Sequence, residues 1–393
     1  MMRAAYICAD KGVPVFGSKG SSVHVQEILR ALLRRGVRVD LFAANVGGAV
    51  PPGLEAVRIH GLPIAQAAGP LAERAALAAN ESLQLALRRE GPFDLVYERY
   101  SLWSFAAMET ARAGGVPGVL EVNAPLIEEQ AKYRQLYDRN GAECVAAQVF
   151  GAARRILAVS EGVVAYLDRF GSFASRVRLT PNGVDTDRFR PGLDPSRPAA
   201  SGIYTVGFVG SLKPWHGLET LIEAIAILAS TGHRTRLLVV GDGPERSRLM
   251  ASLEARNIDH IAEITGAVAP RDVPAMLASM DVGVAPYPEL EGFYFSPLKV
   301  YEYMSSGLPV VASRIGQLRG LIEEGVNGLL CAPGEPKALA AALTRLRDDS
   351  IMRNRLGIAA RATVLENHTW DSVLARSLAG LLPFNQPAGA DAR

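Results

Sequence analysis

The feature that most constrains this chain is a succession of short apolar runs and helix-period segments that is broken once and then begins again. The first run, Ala4–Cys8, has strand length. A glycine-rich loop, GVPVFGSKGSS, covers 12–22. Val25, Ile28, Leu29, Leu32 and Leu33 then recur at helical spacing, with Ser21 or Ser22 placed to cap the start and Gly36 to stop the end. VRVDLFAA reads as the next strand, so the chain opens β–loop–α–β, the start of a doubly wound sheet. Strand patterns follow at 94–101 and 118–125, a strand and helix at 155–167, and a strand running into a turn at 177–185. The stretch 190–202 carries three prolines and two glycines and breaks the pattern. Alternation resumes at YTVGFVGSL and continues through EPKALAAALTRLRDD.

Two βα halves predict an α/β chain of two doubly wound, Rossmann-like domains facing a central cleft. The expected boundaries are 1–190 for the first domain, 191–202 for a linker and 203–370 for the second. In 371–393 a helix is expected to return to the first domain, followed by a flexible tail. A length of 393 residues suits two domains. A formal net charge of +2 with 21% charged residues gives no global attraction to nucleic acid, and no nucleic-acid partner is expected. Three widely spaced cysteines, Cys8, Cys144 and Cys331, form neither a disulfide framework nor a zinc site, which fits a reducing, cytoplasmic setting. The N-terminus lacks the pattern of a secretory signal, and no apolar run reaches the roughly 18 residues of a spanning helix.

Two segments carry the chemistry. In GFVGSLKPWHGLETLIEA (207–224), a glycine loop at Gly210 and Ser211 leads from a strand into a helix, where backbone N–H groups favour a phosphate. Lys213 and His216 add positive charge; the competing reading is an ordinary βα turn. In SPLKVYEYMSSG (296–307), Ser296 suits an N-cap and Pro297 a first helical residue. Lys299 and Glu302, three apart, share a helix face. Ser296, Lys299 and the helix start would form an anion site, and Glu302 could accept hydrogen bonds from a diol such as a ribose. A capped helix with a surface Lys–Glu pair is the alternative.

PNGVDTDRFRP (181–191), the 207–224 segment, VVGDGPE (239–245), ITGAV (264–268), DVGVAPY (281–287), EYMSSGLPVVAS (302–313) and GVNGLL (325–330) occur in this order. Together they resemble retaining glycosyltransferases of family 4 (group 1 type), with the GT-B fold. The opening GSKGSSVHVQEILRALLRRG resembles that family's N-terminal loop and helix, and YERYS and LEVNAP resemble its branch acting in polysaccharide or lipid-linked glycan synthesis. The resemblance implies a nucleotide diphosphate sugar donor and a glycan, lipid-linked or small-molecule acceptor. It implies no cofactor and no metal, with peripheral contact at the inner membrane face if the acceptor is a lipid. Where the family carries a first glutamate, this chain has Tyr294, and Glu291 lies three residues too early; Ser296, Pro297 and nearby backbone would replace that contact. The family's phosphate-binding Arg and Lys align roughly with Ser211 and His216, shifting the charge to Lys213 and Lys299. Asn123 stands where the family often has a histidine. The implied catalytic set is therefore Lys213, Lys299 and Asn123. Gly17 and Gly20 join the donor site from the first half, and Gly266 marks the base-binding end. His24, Glu98, Arg99 and Tyr100 fall on the acceptor side. Asp185 and Asp187 spell the metal motif of another transferase fold but sit in a turn. An epimerase of the same fold, a dinucleotide oxidoreductase and a non-catalytic sugar-nucleotide binder are the competing classes.

Overall fold

The computed structural model describes residues 1–64 and 66–382. They divide into two units, one of Met1–Pro181 with the returning helix Trp370–Leu378, the other of Asn182–Thr369. The first unit holds a seven-stranded parallel sheet of β1 (Arg3–Cys8), β2 (Arg38–Ala43), β3 (Arg58–Gly61), β4 (Leu95–Arg99), β5 (Gly118–Val122), β6 (Arg155–Ala158) and β7 (Val177–Leu179), in the order β3-β2-β1-β4-β5-β6-β7. The second holds a six-stranded sheet of β8 (Tyr204–Val209), β9 (Thr235–Val240), β10 (Ala262–Ile264), β11 (Val282–Ala285), β12 (Val310–Ser313) and β13 (Leu329–Cys331), ordered β10-β9-β8-β11-β12-β13 and parallel throughout.

Helices cover both faces of such sheets, so the central strands must be apolar along their whole length. Every residue of β8, β11 and β12 is buried. Strand order reverses between β1 and β4 in the first sheet and between β8 and β11 in the second. Crevices open at these switch points, beyond the carboxyl ends of the strands.

At the second switch point the backbones come unusually close. Gly217, at φ +67, begins the helix Leu218–Ala229, and a Cβ there would lie 1.7 Å from the Pro286 carbonyl oxygen. Gly241 would meet the Gly210 carbonyl at 2.0 Å and Gly243 the Leu212 carbonyl at 2.5 Å. The loops after β8, β9 and β11 therefore stack main chain on main chain. Below them, the Val209 N–H donates to the Tyr303 hydroxyl at 2.7 Å, and the Tyr303 ring occupies the space left by Gly283.

Several local expectations are corrected. The first helix runs Gly20–Arg34 from an uncapped Lys19; the Ser22 hydroxyl instead donates to the Pro14 carbonyl at 2.5 Å and ties the loop to the helix. Neither Ser296 nor Pro297 takes its expected place. The helix is Leu298–Ser305, and Pro297 is its cap residue without a side-chain hydrogen bond. The change of unit falls at 181–182 rather than 190–191. Asn182 donates from its N–H to the Ser296 hydroxyl (3.0 Å) and from Nδ2 to the Ser296 carbonyl (2.6 Å), and Phe189 sits in the second unit's core. The returning helix lays Trp370, Val373, Leu374 and Leu378 into the first unit. The Arg34–Asp371 ion pair beside it is half exposed and adds little to that apolar burial. The expected tail falls on 383–393, outside the described residues.

Gly217→Ala should destabilise the second unit by about 3 kcal/mol or more, because a clash with backbone adds to left-handed strain. Gly232→Ala, at φ +77 with nothing within 4 Å, should cost about 1 kcal/mol. Urea unfolding of both variants checks the difference.

Candidate functional site

The carboxyl edge of the second sheet carries a buried ammonium group. Lys299, in the first turn of Leu298–Ser305, is 9% exposed, and its Nζ has no hydrogen-bond partner. The group lies 4.0 Å from the centre of the Phe208 ring, and a Cβ on Gly210 would be 3.0 Å from it. Burial pushes its pKa down to about 7, with Glu302 partly opposing. A desolvated cation–π contact contributes about 2 kcal/mol, whereas removing an ammonium from water costs several. The site is therefore short of one anion, and the free N–H groups at the helix start favour the same charge.

Glu302, one turn on, is half-buried; burial lifts its carboxyl to about 7, with Arg188 and then Lys299 pulling the other way. His216 corrects an expectation. Its Nδ1 lies 2.6 Å from the Ser211 carbonyl, which can only accept, so Nδ1 holds the proton and Nε2 is bare. Burial, then Lys299, pushes the ring down to about 3, so it is neutral in the unligated protein rather than a standing cation. Lys213 is half-buried, its Nζ 5.8 Å from the Trp215 ring centre. An aromatic chain of Trp215, Phe295, Phe293, Tyr287 and His216 joins the loop after β8 to the loop after β11. Tyr294 leans on Phe295 at 4.4 Å. The Ser296 hydroxyl accepts from the Asn182 N–H and lies 3.4 Å from the Tyr301 hydroxyl, so it secures the loop rather than capping the helix end. Gly266, at φ +73, bridges to Gly241 at the end of β9.

The first unit's switch point is differently organised. His24 Nε2 is 2.6 Å from Glu121 Oε1, which also accepts from the Tyr97 hydroxyl at 3.1 Å. Arg99 Nη1 stands 3.9 Å from Glu121 Oε2. Burial would raise Glu121, but His24, then Arg99 and the nearby Asn123 amide, offset it and hold the carboxyl below its ordinary value. Asn123 Nδ2 is buried without a completed hydrogen bond. Glu98 is fully buried; Ser104 donates to Oε1, Oε2 is unpartnered, and burial lifts the carboxyl to about 7. Tyr100 is 4% exposed. Of the acceptor-side set, Glu98 and Tyr100 thus lie in the core. Gly17 turns tightly over Pro14, and Gly20 is the exposed first residue of its helix.

The structure adds residues that sequence reading passed over. Glu121, Tyr97, Gln26, Asn182 and Arg188 all hold site loops or tune site charges. One signal was present for Glu121, an acid inside the otherwise apolar strand GVLEV. Among the described residues no cluster of three or more His, Cys, Asp or Glu could hold a metal ion. Asp185 accepts from the Asp187 and Arg188 N–H groups and closes a turn. No described helix is long and apolar enough to cross a membrane.

Residues 18–188 match the family described as Glycosyltransferase Family 4, and 203–349 match Glycosyl transferases group 1. The D-inositol 3-phosphate glycosyltransferase of Acidothermus cellulolyticus is 29% identical, over 98% of this chain and 88% of its own. The 2-deoxystreptamine glucosyltransferase of Streptomyces kanamyceticus is 30% identical, over 67% of this chain and 70% of its own. HepE of Anabaena, solved with UDP and glucose, shares the fold at TM-score 0.70 with 20% identity, covering 97% of this chain and all of that one. The chain belongs to glycosyltransferase family 4 and is a glycosyltransferase of the GT-B fold. The epimerase reading is not favoured, since both relatives are named as transferases.

Because Lys299 titrates lower in the folded chain than in the unfolded one, its burial penalty is full below pH 7 and is relieved between 7 and 10.5. Lys299→Met should therefore stabilise the unligated protein by about 2 kcal/mol at pH 7. Denaturant unfolding should show that gain shrinking toward pH 10.

Proposed function

We propose that the chain moves a glycosyl group, with retention, from a nucleoside diphosphate sugar bound at the second switch point. The observation that carries this reading is the unpaired, buried Lys299 ammonium beside Gly210. A diphosphate supplies the missing anion. The leaving group is already a stable anion, so the chain need only stabilise charge that grows on it as the C1–oxygen bond breaks. Lys299, Lys213 and the helix starts at Leu218 and Leu298 serve that purpose. An arriving phosphate would also draw a proton onto His216 Nε2, turning a neutral ring into a second donor. The acceptor hydroxyl attacks C1 from the leaving-group face, and a phosphate oxygen takes its proton. Glu302 accepts from the ribose hydroxyls. No metal and no cofactor enter this scheme.

The solved complex of HepE makes UDP the first probe of donor binding. The acceptors named for the two relatives, D-inositol 3-phosphate and 2-deoxystreptamine, make a hydroxylated ring the favoured acceptor class. A lipid-linked form of such an acceptor would bring the enzyme to a membrane surface.

UDP should raise the melting temperature, and Lys299→Met should weaken its binding at least tenfold, while Lys299→Arg keeps most of it. Binding to the native chain should also weaken as pH rises from 7 to 9, as Lys299 loses its proton, and the Arg variant should lack that slope. Glu302→Ala should raise the donor KM about tenfold or more. Activity should survive excess EDTA; its loss would return Asp185 and Asp187 to consideration.

A further inference from the structure

A cavity of about 260 Å³ opens in the first unit beside its switch point. Ala9 and Asp10, which follow β1, and Ser101 and Trp103, which follow β4, line one side. The opposite wall is the long helix Pro70–Glu90, which presents Ala72, Ala76, Ala79 and Leu83 at four- and three-residue spacing, a single helix face. Leu62 and Ile64 extend that wall.

Two polar residues on the same helix face also line the cavity, and both are engaged in holding its walls. Asn80 donates from Nδ2 to the Leu77 and Trp103 carbonyls at 2.8 Å each. Its Oδ1 accepts from the Phe105 and Ala106 N–H groups. That uses both donors and both lone-pair directions of an amide. Each oxygen of Glu73 accepts one main-chain N–H, from Tyr137 and from Asp138. The hydroxyls of Ser101 and Ser104 have likewise given their protons, to the Arg99 carbonyl and to Glu98. These bonds pin the cavity's walls to one another, and alkyl carbon with the half-buried Trp103 ring makes up the larger part of the surface inside. The charged lining residues Asp10, Lys11, Glu129 and Arg134 are less buried than Asn80 and Glu73 and can meet polar groups.

We propose that this cavity binds an apolar substituent of the acceptor, so that the enzyme selects a hydroxylated ring bearing an alkyl or aryl aglycone. Ala72, Ala76 and Ala79 are the specificity-determining residues, because their small side chains are what keep the cavity open. The inference rests on the transferase reading, with the first unit as acceptor side. The Ala72, Ala76, Ala79 and Leu83 face offers a phosphate or a bare polyol no hydrogen bond, whereas an apolar group packed against it leaves water without breaking any bond that Asn80 or Glu73 makes.

The test measures binding of methyl, n-octyl and phenyl β-D-glucopyranoside to the full chain, below the micelle concentration of the octyl compound and without nucleotide. UDP is titrated separately. The octyl or the phenyl glucoside should bind at least tenfold more tightly than the methyl one. Preference for octyl marks an alkyl aglycone, and preference for phenyl an aryl one. Ala76→Trp should abolish the preference and leave UDP affinity unchanged; if that variant does not fold, Ala76→Leu should reduce the preference at least threefold. Equal binding of the three glucosides, binding of none, or a preference that survives both variants overturns the proposal. Failure of the wild-type chain to bind UDP would count against the donor site instead, since the glucoside series is read independently of it.

Discussion

Parallel sheets covered on both faces leave polar side chains few places to work. Side chains of β8, β11 and β12 point into apolar layers from end to end. The carboxyl edge, where loops leave the sheet, is where charge and unsatisfied hydrogen-bonding groups can collect. The Lys299 ammonium, the Asn123 amide and the first unit's cavity all lie at or just beyond such edges. Close main-chain stacking at Gly217, Gly241 and Gly243 then brings the loops near enough for Gly210 and Lys299 to touch. Without that stacking the lysine would have space to reach water, and its charge would carry no imperative to bind an anion.

The two edges handle charge in opposite ways. In the first unit, His24 and Glu121 satisfy each other at 2.6 Å, with Tyr97 and Arg99 around them. That group ties β4 and β5 to the first helix, although Glu121 Oε2 and Arg99 Nη1 complete no hydrogen bond. In the second, Lys299 has the Phe208 and Tyr287 ring faces and the Glu302 carboxylate to set against its desolvation, and its Nζ has no hydrogen-bond partner. Folding tolerates the imbalance because the two hydrophobic clusters beneath it are extensive. The same imbalance makes the unligated state less stable than it could be and the anion-bound state correspondingly favoured.

Much of this was legible in the residues. Continuous apolar runs of strand length and helix-period segments set the doubly wound class, because burial on both faces and on one face leave different periodicities. The prolines at 191–198 marked a break, and the ordered motifs from PNGVDTDRFRP to GVNGLL carried the family and drew attention to Lys299 and Glu302. Local rules misled where tertiary partners outbid them. Ser22 and Ser296 have cap chemistry, yet the helices start from Lys19 and Pro297, and each hydroxyl bonds a neighbouring loop, the first at Pro14 and the second at Asn182. His216 looked cationic by type; burial beside two lysines makes it neutral.

By itself, then, the sequence determined the periodicities, the glycines and the reactive residue types, since these depend on local chain geometry and on side-chain chemistry. Tertiary structure alone decided which of those groups are satisfied. Whether Glu121 has its histidine, whether Lys299 Nζ has a hydrogen-bond partner and whether Asn80 and Glu73 are engaged depends mainly on contacts spanning 23 to 97 positions of the chain. Only folding brings those atoms within hydrogen-bond reach, and only then does burial assign each charge its energy.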